Sequence, residues 1–264
     1  MTGPGVSPRF VAPARAESTA VPGARKRVEQ PIDHPLVWRA GESRASWRTR
    51  PTGFEVLDRH LPGGGWPATG LTEILTGDYG IGELSLLMPA LARMGRDGGT
   101  GCIVWVAPPF IPHAPALHSH GIGLDRVLIV RGCADARGNR DVLWATEQAL
   151  RFGSCGAVLA WMRSVGQAPL RRLQLAAEAG RCWTVLFRPP DASRQRSPAV
   201  LRMRLTAIGE QTRIEILKCR GGRPGMVTVH LGDWRPGDAE PDRRISPHQV
   251  DGALACHGPA AQSP

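Results

Sequence analysis

The sequence predicts an α/β fold, a parallel sheet flanked by helices with a C-terminal antiparallel β extension. Short, continuously apolar runs alternate with helix-length segments between about residues 70 and 190, the pattern of strands covered on both faces. After Pro189 and Pro190 the pattern switches to apolar/polar alternation, the mark of half-exposed antiparallel strands. Glycines and prolines punctuate the joins between these runs.

Taken in order, residues 71–75 form a short strand, followed by a glycine-rich turn and an apolar helix over about 84–94. Residues 102–107 form a buried strand stopped by Pro108 and Pro109. A short helix over 114–120 and a strand over 126–130 come next. The helix over 141–152 has Asp141 as its N-cap and Gly153 as its stop. Residues 157–161 are another apolar strand, 170–179 a helix ended by Gly180, and 183–187 a strand. The alternating strands over 200–205 and 213–218 follow, and a last one over 226–231 lies beyond a Gly-Gly-Arg-Pro-Gly turn.

The 264 residues are ample for a single medium-sized core. Residues 1–35 read as a disordered leader rich in Pro, Gly, Ala and Arg, 36–190 as the α/β core, 191–232 as the β extension of the same domain, and 233–264 as a flexible tail. No run is long and apolar enough for a membrane helix, and no apolar h-region stands at the N-terminus, so a cytoplasmic location without membrane association is expected. The six cysteines contain no CxxC pair, which argues against a zinc site or a disulfide framework and makes most of them small core residues.

The net charge is +10, and 31 of the 33 basic residues are arginines, Lys26 and Lys218 being the two lysines. The charge is uneven: +5 over residues 1–50, −3 over 51–150 and +8 over 151–264. An anionic partner met by the C-terminal part and the leader would account for this, and so would solvated surface arginines.

A strand, a glycine-rich turn and a helix in succession have the geometry of a nucleotide phosphate loop. The turn contains Gly77, Gly80 and Gly82, followed by Glu83, Leu84 and Ser85. A working loop places a lysine and then Ser or Thr after its last glycine, to neutralise phosphate and to hold Mg²⁺. Here Glu83 replaces the cation, Leu84 replaces the magnesium ligand, and Ser85 comes one place too late. The magnesium-holding acid expected at the end of the 157–161 strand is Trp161 instead. These losses predict a vestigial loop, no nucleotide or other cofactor, and no ATPase activity; the glycines then serve a tight strand-to-helix turn. His113, His118 and His120 lack a carboxylate companion and read as loop histidines, so no metal is expected. Asp135 and Asp141, flanking Arg137 and Arg140, read as solvated loop residues.

The motif from Thr52 and Gly53 through Asp58, then Leu61 to Pro67 with its three glycines, then Gly70 to Ile74, resembles the lead-in to the RecA ATPase core. With Gly80 to Leu84, Leu87 to Leu91, Trp105 to Pro109, Glu147 to Arg151, Ala157 to Trp161 and Arg220 to Gly225, the chain resembles the ImuA family of RecA-like accessory proteins. The resemblance covers about residues 50–232 and rests on the ordered co-occurrence of these motifs. It implies a RecA-like sheet and a role beside ImuB, RecA and an error-prone replicative-type DNA polymerase in SOS-induced translesion synthesis and mutagenesis, acting as a non-catalytic, nucleoid-associated adaptor. The departures at Glu83, Leu84 and Trp161 fit that family.

The middle region also resembles SulA, a cell-division inhibitor that binds FtsZ, through Trp105 to Pro109, Gly121, Arg126 to Arg131 and Glu147 to Trp161. That family is shorter and lacks the β extension and the glycine-rich lead-in. Lys218, Arg220 and Arg223, beside Gly221, Gly222 and Gly225, form a cationic loop able to approach a phosphate backbone, and are the candidates for single-stranded DNA contact. By analogy, the same region of RecA-like proteins lies near their DNA-binding loops. A plain β-turn with solvated arginines accounts for the same residues.

Overall fold

The computed structural model of the chain describes residues 48–96, 101–132 and 138–235. A two-stranded antiparallel ribbon, β1 (Thr49–Arg50) with β2 (Trp66–Pro67), encloses the short helix α1 (Glu55–Asp58). The chain continues through β3 (Gly70–Leu75), α2 (Met88–Arg96), β4 (Cys102–Val106), α3 (Ala114–Ser119), β5 (Val127–Val130), α4 (Gly138–Arg151), β6 (Cys155–Trp161), α5 (Gln167–Ala179) and β7 (Trp183–Arg188). It ends in a meander of β8 (Leu201–Ile208), β9 (Gln211–Cys219) and β10 (Gly225–His230).

The eight strands from β3 to β10 form one sheet in the order β5-β4-β6-β7-β3-β8-β9-β10. Every pair from β5 to β8 is parallel; β8 with β9 and β9 with β10 are antiparallel. The mixed α/β architecture is therefore as expected, with one refinement. β8 belongs to both halves: it runs parallel to β3 and antiparallel to β9.

Each face of the sheet buries its own apolar cluster. One cluster joins Ile74, Trp105, Trp161 and Phe187 to side chains of α1, α2 and α3, and extends onto Ile214, Ile216, Val227 and Val229 of the meander. The other joins Leu71, Val104, Val158 and Leu186 to Val142 and Leu150 of α4 and Leu170, Leu173 and Ala177 of α5. All six residues of β3 are buried, as a strand sandwiched between two helical layers requires.

Three local expectations differ from what forms. The helix after the phosphate-loop position starts at Met88, because residues 83–87 are turns closed by Leu86 N–H to Gly82 O and Met88 N–H to Leu84 O. Pro89 then occupies the first helical turn, where a missing N–H costs nothing. Asp141 is not the cap of α4; the helix begins at Gly138, and Asp141 lies in its first turn, where a carboxylate favours the positive helix end. Residues at the start of the expected tail are part of the fold: Leu231–Asp233 make a 3-10 turn, and Trp234 stacks on His120 at 5.5 Å. The leader, the remainder of the tail, Cys133, Asp135, Arg137 and Cys256 lie outside the described residues.

Beside the apolar cluster under α4 and α5 sits a buried charge cluster. Glu73 of β3 accepts from Arg188 Nη1 at 3.1 Å, Arg202 Nε at 2.5 Å and Ser197 Oγ at 3.0 Å. The Glu73 and Arg188 side chains are fully buried, and that of Arg202 nearly so. Most of the remaining guanidinium donors are used: Arg188 Nη2 reaches Gln195 Oε1 and Val165 O, and Arg202 reaches Gln195 O and Ala192 O, while Arg188 Nε is buried without a hydrogen-bond partner. Arg202 occupies a polar slot in an alternating strand and would be expected to face solvent. It is buried because it donates into the carbonyls of the segment around the 3-10 turn Pro190–Arg194.

Removing the acid leaves two guanidinium groups buried without their counter-charge, so Glu73→Ala is expected to lower unfolding free energy by about 3–5 kcal/mol, read from the urea midpoint. Replacing Glu73, Arg188 and Arg202 together by Leu or Met is expected to cost less than Glu73→Ala alone, because no uncompensated charge remains.

Candidate functional site

The phosphate-loop position follows the C-terminal end of β3, where open parallel sheets ordinarily bind ligands. Residues 77–80 are exposed, and the chain then turns inward at Gly82. Both oxygens of the buried Glu83 carboxylate accept from the Gly80 N–H, at 2.9 and 3.0 Å. A backbone N–H of this kind faces the phosphate in a nucleotide loop; here the chain supplies its own anion. Leu84 and Ile81 pack against the apolar cluster, while Ser85 is exposed.

The meander closes over the same turn. Leu231, just after β10, lies so close to Gly82 that a Cβ at that glycine would fall 2.0 Å from Leu231 Cδ1. Gly82 also has φ +99°, a conformation that favours glycine. Thr212 Oγ1 of β9 donates to Ile81 O at 3.4 Å. At the end of β6, Trp161 stacks on Phe187 at 4.6 Å and on Trp105 at 5.6 Å. The position where a magnesium-holding acid was sought is thus part of an aromatic row across β4, β6 and β7.

Beside this closed turn the surface carries exposed apolar side chains. Tyr79 and Phe110 meet edge to face at 6.5 Å, and Phe110 and Ile111 are 73% and 69% exposed. These side chains come from the turns after β3 and β4, so they lie at the C-terminal ends of the parallel strands.

The structure divides the cationic candidates. Lys218 lies on β9 and its Nζ donates to Ser197 O at 2.8 Å. Burial, with Arg220 and Arg202 nearby, holds its pKa below the usual lysine range. Arg220 pairs with Glu178 of α5 at 3.5 Å at an exposed position, and Arg223 is exposed in the turn between β9 and β10. That turn stands at the opposite end of the strands from the phosphate-loop position: Cys219 pairs with Leu201 at the start of β8, and β8 runs parallel to β3. The two candidate sites therefore do not adjoin.

His113 and His118 are exposed, and among the described residues no cluster of His, Cys, Asp or Glu is arranged to hold a metal ion. Among those residues no helix is long and apolar enough to cross a membrane. Leu231 and Thr212 went unnoticed as part of the loop because their contacts with it are long-range, with no local signature. The pair Glu83 and Gly80 was within reach, since a carboxylate three residues after a glycine at a turn can accept from that glycine's N–H.

No family model matches the chain. It is 32% identical over 199 residues to Protein ImuA of Caulobacter vibrioides (strain NA1000 / CB15N), an alignment covering 66% of this chain and 79% of that protein. It is 32% identical over 108 residues to Cell division inhibitor SulA of Edwardsiella piscicida, covering 41% of this chain and 61% of that protein. Among solved structures, SulA from Pseudomonas aeruginosa aligns with 45% of this chain and 97% of its own at 24% identity, with a TM-score of 0.37.

Gly82→Ala is expected to destabilise the fold by roughly 1–3 kcal/mol, from the left-handed backbone alone, with the clash against Leu231 adding to it. Adding Leu231→Ala should remove the clash but not the backbone cost. A double-mutant cycle on thermal unfolding should therefore give a favourable coupling between the two sites.

Proposed function

The chain belongs to the ImuA family, and from that membership we infer that it is a non-catalytic, RecA-like accessory protein of SOS-induced, error-prone translesion synthesis. In this reading it works at the nucleoid as an adaptor among RecA, ImuB and an error-prone replicative-type polymerase. The observation that carries the non-catalytic part is the closed phosphate turn. Glu83 holds the Gly80 N–H, Leu231 covers Gly82, and Trp161 belongs to an aromatic stack. An incoming triphosphate would have to displace a carboxylate and meet its repulsion, with no lysine to offset either.

An adaptor needs surface rather than a pocket. The exposed Phe110 and Ile111 beside Tyr79 at the C-terminal ends of the parallel strands support protein docking there. Arg220 and Arg223 at the opposite strand ends support contact with single-stranded DNA or an acidic protein. The likeness to SulA over 108 residues keeps a second reading, division inhibition through FtsZ, open to test.

Calorimetry of the full chain with ATP and Mg²⁺ is expected to give no saturable binding; binding with turnover would overturn the non-catalytic reading. Deleting the gene should abolish damage-induced mutagenesis, whereas filamentation on overexpression with mutagenesis intact would favour division inhibition. If the β9–β10 turn contacts single-stranded DNA, Arg220→Ala with Arg223→Ala should flatten the salt dependence of binding by about 0.7 in slope per lost phosphate contact. Lys218→Ala should change it less, because Nζ is already engaged by Ser197 O.

A further inference from the structure

Cys102 opens β4 and Cys155 opens β6, and the two residues face each other in the register of adjacent parallel strands. Their sulfurs stand 3.5 Å apart. The backbones are drawn together at this edge: a Cβ on Gly101 would fall 2.6 Å from Gly156 N, and Cys102 N–H donates to Ser154 O at 3.1 Å. Neighbouring-strand Cα spacing, about 5 Å, lies inside the range a disulfide spans, about 4.4–6.8 Å. Closing the sulfurs to bonding distance therefore needs side-chain rotation with little movement of the strands. Cys182, just before β7, directs its thiol to Trp183 O at 3.6 Å, and Cys219 lies across the sheet on β9.

We propose that Cys102 and Cys155 form a reversible oxidative modification site, a disulfide that staples β4 to β6 when the protein meets a peroxide. Cys102 is partly exposed and Cys155 buried, which assigns their roles. The Cys102 thiolate attacks a peroxide oxygen; the O–O bond breaks, hydroxide leaves, and a sulfenic acid remains on Cys102. The Cys155 sulfur, giving up its proton, then attacks Cys102 Sγ. The S–S bond forms as the S–O bond breaks, and the departing hydroxide takes up the proton as water. Two thiols and one hydrogen peroxide thus yield one disulfide and two waters; a dithiol reductant reverses the change. Burial and the neighbouring Cys102 push the Cys155 thiol up to about 12, so closure draws on a small thiolate fraction near neutral pH. Below that value the Cys155 thiolate fraction rises about tenfold per pH unit, and closure should quicken accordingly.

The test uses the native full-length chain and hydrogen peroxide. Free thiols are blocked before unfolding, and the digest is mapped by mass spectrometry with and without reduction. The expected result is a peptide pair joining Cys102 to Cys155, two hydrogens lighter than the reduced pair, with two fewer alkylatable thiols per chain. Formation should quicken as pH is raised. Cys155→Ser should abolish the linked pair and leave Cys102 as sulfenic or sulfinic acid, while Cys182→Ser should leave the link intact. Over-oxidation of Cys102 in the native chain without a crosslink, a crosslink to any other cysteine, or a Cys102–Cys155 link that appears only in urea-unfolded chain would each overturn the proposal.

Discussion

The buried carboxylate of Glu73 is the constraint around which the sheet is assembled. It sits on β3, inside the parallel half and next to the strand shared with the meander, and its two arginine partners come from the strands on either side, β7 and β8. Taking three charged groups out of water is worthwhile only when nearly every donor and acceptor is matched. Ser197, Gln195, Val165 O and Ala192 O supply most of that matching, with Arg188 Nε left over. The segment between β7 and β8 is therefore positioned by hydrogen bonds to charge, where a loop would ordinarily wander. Arginine suits the role because its five donors lie in a fixed plane and can serve a carboxylate and several carbonyls at once.

The two faces of the sheet are held by different physics. Under α4 and α5, ordinary apolar packing surrounds the ion cluster. On the other face, Trp105, Trp161 and Phe187 form a continuous aromatic row, and Trp66 meets Trp183 at 5.6 Å. Large rings bury much area per residue and resist rearrangement. They occupy the region where an ATPase would keep polar groups, water and a metal. The turn at the phosphate-loop position is held by several contacts at once, from Glu83 within it and from Leu231 and Thr212 of the meander.

The alternation of strands and helices was legible because continuous apolar strands and helix-length runs have distinct periods, and glycines and prolines mark their joins. The meander was legible from its period of two. That same period misplaced Arg202, because alternation says which face a residue takes but not whether another segment will cover that face. Arg188 at the end of β7 gave no warning, since a terminal arginine usually faces water. The departures from a nucleotide loop at Glu83, Leu84 and Trp161 were readable from the sequence alone. That Glu83 would become the ligand of its own loop, and that Leu231 would close over Gly82, depended on tertiary contacts with no local trace. The cationic turn was readable as a cluster, but only the register of β8 and β9 puts it at the opposite end of the strands from the phosphate-loop position.

The place of β3 in the sheet also governs the order in which the protein can be made. Its neighbours are β7 and β8, both synthesised long after it. Arg202 follows Glu73 by 129 residues, on the order of ten seconds of translation at about 5–20 residues per second. During that interval the nascent chain carries a strand of mostly apolar residues, with a carboxylate whose counter-charges do not yet exist. The central strand cannot be laid down first and built upon; it must wait and be inserted between later arrivals, a non-local pairing that folds slowly and exposes apolar surface meanwhile. A charged residue at the middle of such a strand keeps the waiting segment wetted until Arg188 and Arg202 emerge to claim it.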